Sequence, residues 1–258
     1  MKKFTLRVDV ESERGIKEGI PPLLNLLKKH NIKASFYVSM GGESNILELL
    51  KYRKSLESSM ERNVSVWSLR DKFRMAFFPK DFVTINRDIL KLILEEGHEL
   101  GIHGWKHREW TRGLNMIDIE KTVDKSVSKY EKLFGKKPIS FSAPGFNSNE
   151  KVLKILRTRG IKFMSDFPGE SVKIYDGIKN IPITITGKKQ SPIIEYLVSL
   201  GKNDDEIFDE IKEKIINKNI ASMYVHCLFE ARFKIPLLER IFEFVKKEKI
   251  KTRRIIDY

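Results

Sequence analysis

Two rhythms alternate along the chain. Short runs that are apolar throughout or at every second position are followed by stretches with apolar residues three and four apart. FTLRVDV (4–10) reads as a strand, and IKEGIPPLLNLLKKH (16–30) as the helix after it. KASFYVS (33–39), ELGIH (99–103), PISFSAP (138–144), IKFMSD (161–166), NIPITIT (180–186), IASMYVH (220–226) and KIKTRRI (249–255) continue the strands. Helical spacing recurs near 118–134, 151–160, 204–217 and 235–247. Strand and helix in alternation predict a parallel sheet. Roughly eight such units suggest a (β/α) barrel with one unit irregular, and a doubly wound open sheet is the alternative. One connection, from about Gly41 to Asn86, is too long for an idle loop and predicts two further helices.

The polar residues that interrupt these runs are not scattered. Asp9, His103, Asp166 and His226 all fall at C-terminal strand ends, which form the active-site face of a (β/α) barrel. In GIHGWKH, His103 and His107 share a face if the turn is helical, and both imidazoles then reach one divalent ion. Asp9 and Glu11 close the first strand and, at period two, point the same way. Two adjacent carboxylates repel unless a cation lies between them or one is protonated. Two histidines and one carboxylate leave a coordination position for water, and the other carboxylate is then free to act as a base. His226 ends an apolar strand, either as a packed core residue or as a general acid at the barrel mouth. Glu230, four residues on, either orients His226, contacts substrate, or is a surface residue; Cys227 reads as packing.

Composition narrows the classes. The 258 residues are 41% hydrophobic, which suffices for a buried core. No run approaches the roughly 18 apolar residues of a membrane span. MKKFTLRVDV has a signal-like start, but its apolar run is short and broken by Arg7, so it reads as a strand. A single cysteine excludes an internal disulfide and fits a reducing, cytoplasmic setting. The net charge of +14 favours an anionic partner (phosphate or lipid headgroups) or a lysine-rich solvated surface. Neither an aromatic RNA-binding signature nor a zinc-finger spacing is found, so no nucleic-acid partner is expected.

Three further features have two readings each. Arg14 is either a phosphate or sugar contact or one half of a helix-start salt bridge with Glu18. Pro144, Gly145 and Phe146 form a turn that either presents backbone N–H groups and a ring to substrate or merely reverses the chain. WSLRDKFRMAFF (67–78) sets Trp67, Phe73 and Phe77 among Arg70, Lys72 and Arg74. It reads as a lid, a basic contact for a lipid-linked substrate, or a helix packed on the barrel or at a dimer interface.

In order along the chain, DVES, HGWKH, SAPGF, the SD at 165–166 and YVH resemble the motifs of the polysaccharide deacetylase (NodB-homology) family. NIKASFYVSMG, GHELGIHGWKHREW, MSD and IPITIT extend the resemblance from Arg7 to about Glu230, nearest to the family's deformylases of lipid-linked amino sugars. The resemblance implies a distorted (β/α)7 barrel: one catalytic domain over 1–258 with a helical insertion at about 41–86. It implies Asp9 as catalytic base, Glu11, His103 and His107 as metal ligands, His226 as catalytic acid and Asp166 as a tuning acid. One divalent ion follows, zinc by default, with Co, Ni or Mn compatible with the same donors. The implied activity is hydrolysis of a formyl or acetyl amide on an amino sugar or sugar-phospholipid, with peripheral membrane contact. Glu11 departs from the family's usual aspartate, Ser142 from an arginine, and Leu228 from a deformylase acid, while Glu230 is retained. Two rivals remain: a degenerate barrel that binds anionic glycans or lipid headgroups, and an amidase acting on a non-sugar such as a cyclic imide.

Overall fold

The structure is a computed structural model and describes residues 2–44, 46–51, 73–74 and 77–258. Strand β1 (Lys3–Val10) pairs in parallel with β2 (Ser35–Val38), which pairs with β3 (Glu99–Ile102). The sheet continues through β4 (Ser140–Phe141), β5 (Phe163–Met164) and β7 (Ile178–Asn180). On the other side of β1 lies β8 (Ile220–His226). After β7 the chain crosses to β8, where Ile185 bridges Met223 and the Thr184 and Ile185 N–H groups donate to the Ser222 carbonyl. The sheet thus curls into a distorted seven-stranded barrel whose seam is this one short bridge.

Two expectations from the sequence are corrected here. The strand predicted at 249–255 shrinks to β9 (Lys251–Thr252), which pairs only with the first residues of β1, so the ring has seven positions rather than eight. Of the strand predicted at 180–186, only Asn180 is in a strand, as the last residue of a hairpin; 181–184 are irregular and Ile185 and Thr186 make single bridges. In that hairpin β6 (Lys173–Tyr175) runs antiparallel to β7 across Asp176 and Gly177, whose φ angles of 48° and 80° suit a type I′ turn.

Helices α1 (Ile20–His30), α2 (Ile46–Lys51), α3 (Phe82–Ile85), α4 (Arg87–Glu95), α5 (His107–Gly113) and α6 (Ile119–Phe134) belong to the first half. The second half adds α7 (Glu150–Thr158), α8 (Ile193–Ser199), α9 (Asp204–Asn217), α10 (Cys227–Phe233) and α11 (Ile235–Lys247). Their ends follow local chemistry. Asn203 and Glu206 form a capping box that starts α9, and left-handed Asn31 ends α1.

Strand alternation then separates two interiors. Phe4, Leu6, Val8 and Val10 face outward and join Leu23, Leu27, Phe36, Val38 and Phe242 in the main hydrophobic core, between sheet and helices. Truncating one of these, as in Leu6→Ala, costs about 2–5 kcal/mol. The intervening residues face into the ring and are largely polar: Thr5, Arg7 and Asp9 on β1, Ser35 and Tyr37 on β2, Glu99 on β3, Ser222 and Tyr224 on β8. Gly101 is required there, because a Cβ would lie 2.6 Å from the Tyr37 ring and from Ser140 Oγ. The C-terminal turn closes the floor: Ile255 packs with Tyr37 and Ile181, and the Tyr258 and Thr5 hydroxyls are 2.9 Å apart.

The helices between β2 and β3 are fastened beside the mouth. Lys80 pairs with Glu13 at 3.1 Å, Arg74 with Glu43 at 2.7 Å, and Lys129 with Asp81 at 2.5 Å. Phe73 and Phe77 are exposed with ring centroids 4.6 Å apart, while Trp67, Arg70 and Lys72 lie outside the described residues. No helix among the described residues is long and apolar enough to cross a membrane.

Candidate metal and catalytic site

At the mouth, a cavity of about 210 Å³ is lined by Arg7, Asp9, Glu11, His103, His107 and His226, among others. The register makes this meeting unavoidable: Asp9 is the cross-strand partner of His226, in a ladder that begins at Lys3 and Ile220. His103 follows β3 directly and is 1% exposed; its Nδ1 lies 2.8 Å from the Ser142 carbonyl and donates to it. That bond fixes the tautomer and leaves Nε2 facing the cavity, the usual way a ligating imidazole is oriented. His107 opens α5. The two rings are therefore not on one helical turn, as the spacing had suggested; left-handed Gly104 reverses the chain and brings their centroids to 5.6 Å.

Glu11 is the hub. Its Oε1 is 3.1 Å from His107 Nε2, 3.4 Å from His103 Nε2 and 3.6 Å from His226 Nε2. Yet Glu11 Oε1 and His103 Nε2 are both buried without a hydrogen-bond partner. Burial opposes ionisation of Glu11, but the charges of His107 and His226 outweigh it and hold the carboxyl well below its ordinary value. Ligand atoms of Glu11, His103 and His107 all lie within 4.8 Å of one another, and so do those of Asp9, Glu11 and His226. The first set fits a divalent cation better. Arg7 already holds Asp9 by two bonds of 2.8 Å, whereas Glu11 Oε1 and His103 Nε2 are the orphaned atoms.

Asp9 is 3% exposed. Burial pushes its carboxyl up, but the Arg7 guanidinium, and then His103, bring it below its ordinary value. Arg7 also donates to the Ser165 carbonyl at 2.8 Å and lies 4.7 Å from the Phe146 ring centroid and 5.3 Å from that of Tyr224. Opposite, His226 Nδ1 is 2.5 Å from Glu195 Oε1, which leaves Nε2 toward the cavity. The site thus holds two further carboxylates bonded by basic side chains, Asp9 by Arg7 and Glu195 by His226, beside the Glu11–histidine cluster.

Neither Arg7 nor Glu195 is singled out by sequence reasoning. Arg7 shares the period-two face of Asp9 and Glu11, a usable signal that its role as an interruption of an apolar run concealed. Glu195 lies in the first turn of α8, where an acid has an ordinary explanation in the helix dipole.

Other candidates are placed differently. Gly145 and Phe146 line the cavity, and Pro144 is buried beneath them. Asp166 is not on the wall. It accepts from the Ala143 N–H and the Ser148 hydroxyl, both at 2.8 Å, and so shapes the turn that carries Phe146; burial raises its carboxyl. Arg14 is also off the wall, pairing with Glu18 at 3.0 Å, which is the salt-bridge alternative. Glu230 is fully buried, with neither carboxylate oxygen hydrogen-bonded, and burial followed by repulsion from Glu195 raises it well above its ordinary value. It neither bonds His226 nor lines the cavity; Glu195 takes the orienting position instead. Cys227 is buried against the Gly15 carbonyl, as packing predicts.

The family model for polysaccharide deacetylase matches residues 5–164. The chain belongs to the polysaccharide deacetylase family. It is 27% identical, over 99% of its length and 85% of the other's, to a Shewanella sediminis protein described as a 4-deoxy-4-formamido-L-arabinose-phosphoundecaprenol deformylase. Among solved structures, a Pseudomonas aeruginosa PAO1 polysaccharide deacetylase shares the fold with a TM-score of 0.68 and 14% identity, over 99% of this chain and 88% of that one. A CE4 family pseudoenzyme from Bacillus anthracis also shares the fold, with a TM-score of 0.60 and 17% identity; 99% of this chain spans 64% of that one. The family match covers β1 to β5 and with them Asp9, Glu11, His103 and His107; His226 and Glu195 lie beyond it.

Proposed function

We propose that this protein is a metal-dependent hydrolase that removes a formyl or acetyl group from the amide nitrogen of an amino sugar. The observation that carries the proposal is the pair of orphaned buried atoms, Glu11 Oε1 and His103 Nε2, facing one another beside His107. Glu11, His103 and His107 would hold one divalent ion, zinc by default. When bound, such an ion polarises the acyl oxygen and lowers the pKa of a water.

The protein's own groups account for the remaining steps. Asp9, kept ionised by Arg7, accepts the proton of the attacking water. In the Pro144–Phe146 turn the proline has no N–H and the Phe146 N–H is taken by the Ala143 carbonyl, which leaves the Gly145 N–H as the donor toward a developing oxyanion. His226 donates from Nε2 to the departing nitrogen. Glu195, at Nδ1, orients the ring and stabilises its protonated form. Two sequence departures had favoured a binding-only barrel. The longer Glu11 side chain still comes within 3.4 Å of both metal-site histidines, and Arg7 supplies the guanidinium that Ser142 does not, which supports catalysis.

Elemental analysis and zinc calorimetry on wild type, His103→Ala, Glu11→Ala and Asp9→Asn test the assignment. Wild type and Asp9→Asn are expected to bind one equivalent, with Asp9→Asn inactive, while His103→Ala and Glu11→Ala bind weakly. Tight binding by His103→Ala would overturn it, and loss of binding in Asp9→Asn alone would exchange the two carboxylates.

A further inference from the structure

On the outside of the barrel, away from the mouth, a second group of side chains converges as metal ligands do. His30 is the last residue of α1, and Glu239 and Glu243 lie one turn apart on α11. Ligand atoms of the three all come within 4.8 Å of one another. Spacing of four residues puts the two carboxylates on one helix face, where like charges repel.

His30 sets this group apart from an ordinary patch of surface acids. Its side chain is only 5% exposed and stands edge-on to Phe242, with ring centroids 6.1 Å apart; Phe242 in turn meets Phe4 of β1 at 6.4 Å. Packing therefore fixes the ring with Nε2 toward α11. Yet Nε2 stops 3.5 Å from Glu239 Oε1, at the far limit of a hydrogen bond. A buried nitrogen and a carboxylate oxygen at that separation are better placed to share a third atom than to bond each other.

The Lys29 ammonium bonds Glu239, and its charge also reaches Glu243. It rides on a stem that is 65% exposed, so water can take it over at little cost. An ammonium brings one charge to two carboxylates and cannot accept the imidazole lone pair. A divalent cation brings two charges and does accept it. The C-terminal end of α1 favours a cation at the same place. One imidazole and two carboxylates form a nitrogen–oxygen donor set suited to zinc, with a position over for water.

We propose that His30, Glu239 and Glu243 form a second divalent-cation site, separate from the mouth, in which a zinc ion clamps α1 to α11 and displaces Lys29. The site is structural: through Phe242 and Phe4 it braces the outer face of β1, and it takes no part in hydrolysis. It is weaker than the mouth site because both of its carboxylates are open to solvent.

Zinc calorimetry and thermal melts on the whole protein test it. Wild type should show a second, weaker equivalent after the one bound at the mouth. Zinc at about a hundred times the dissociation constant of that second phase should raise Tm by about 5–10 °C beyond the protein loaded at the mouth alone. Glu239→Gln/Glu243→Gln should lose the second phase and its Tm increment while keeping the first phase. His30→Phe, which retains the packing on Phe242, should do the same. Lys29→Met, by removing the competing ammonium, should tighten the second phase. His103→Ala should weaken the first phase and leave the second, so failure at the mouth and failure here are read separately. A single equivalent in wild type, or a second equivalent that survives in Glu239→Gln/Glu243→Gln, overturns the proposal.

Discussion

Asp9 at the mouth of the ring and Glu99 near its floor are both buried carboxyl groups pointing inward, yet they are shifted in opposite directions. Asp9 receives two hydrogen bonds from Arg7, and that charge overcomes burial and lowers its carboxyl. Glu99 is bonded by the Ser35 hydroxyl at 2.5 Å, the Tyr37 hydroxyl at 2.9 Å and the Ile256 N–H at 3.2 Å. None of these donors carries a charge, so burial prevails and Glu99 is raised. Depth is alike at the two ends; the guanidinium makes the difference. At the floor the carboxylate is satisfied by hydroxyls and the C-terminal backbone, and the atoms left unpaired there, Ser140 Oγ and Ser222 Oγ, are uncharged. The mouth leaves Glu11 Oε1 and His103 Nε2 unsatisfied, as a site prepared for a ligand would.

The comparison breaks most directly at Arg7. Arg7→Met leaves Asp9 buried without its cation and should cost about 3–5 kcal/mol of stability in denaturant titrations. In wild type the folded Asp9 carboxyl titrates below its unfolded value of about 3.9. Its contribution is therefore present above that value and lost as the pH falls through the folded one. In Arg7→Met the carboxyl rises, so the acid limb of kcat/KM should move to higher pH. An unmoved limb would remove Asp9 from the base role.

His226 sharpens the mouth side. His226→Ala should keep its metal and lose on the order of 10²–10⁴ in amide hydrolysis. It should lose much less on an activated aryl ester, whose leaving group needs no proton. Metal loss, or equal losses on both substrates, would overturn the acid role.

The floor supplies the smallest effect. Because Glu99 is held by uncharged donors alone, Glu99→Gln should cost only about 1–2 kcal/mol by thermal or denaturant unfolding. It should leave the pH profile of activity in place. A cost equal to that of Arg7→Met would mean that the two ends are alike.

The sequence rhythm placed α9 and α11 at their observed bounds and brought Asp9, Glu11, His103, His107 and His226 to one face. These were legible because they end strands or follow them within a few residues, and strand ends follow from local periodicity. The partners were not. That Arg7 serves Asp9 depends on a side chain folding back along its own strand, and Glu195 reaches His226 from a short helix behind Pro192 that the periodicity did not reveal. The seven-fold count was hidden for a similar reason. KIKTRRI has a strand's composition, but the positions beside β1 were already filled by β2 and β8, which left it only the first residues of β1. Arg14 follows β1 closely enough to suggest a substrate contact, yet Glu18 one turn on claims its guanidinium.

The β1–β8 ladder also decides which kinds of inherited change this protein can absorb. Asp9 and His226 are held opposite one another by seven consecutive register pairs. Substitutions along that ladder alter side chains one at a time, but a single inserted or deleted residue within either strand would turn the acid or the base to the outer face. The turn at 187–192 and the described residues between β2 and β3 lie outside the β1–β8 ladder and can lengthen or shorten. Descendants of this chain are therefore free to change what they recognise by insertion and deletion, while the proton-handling pair can drift only by substitution.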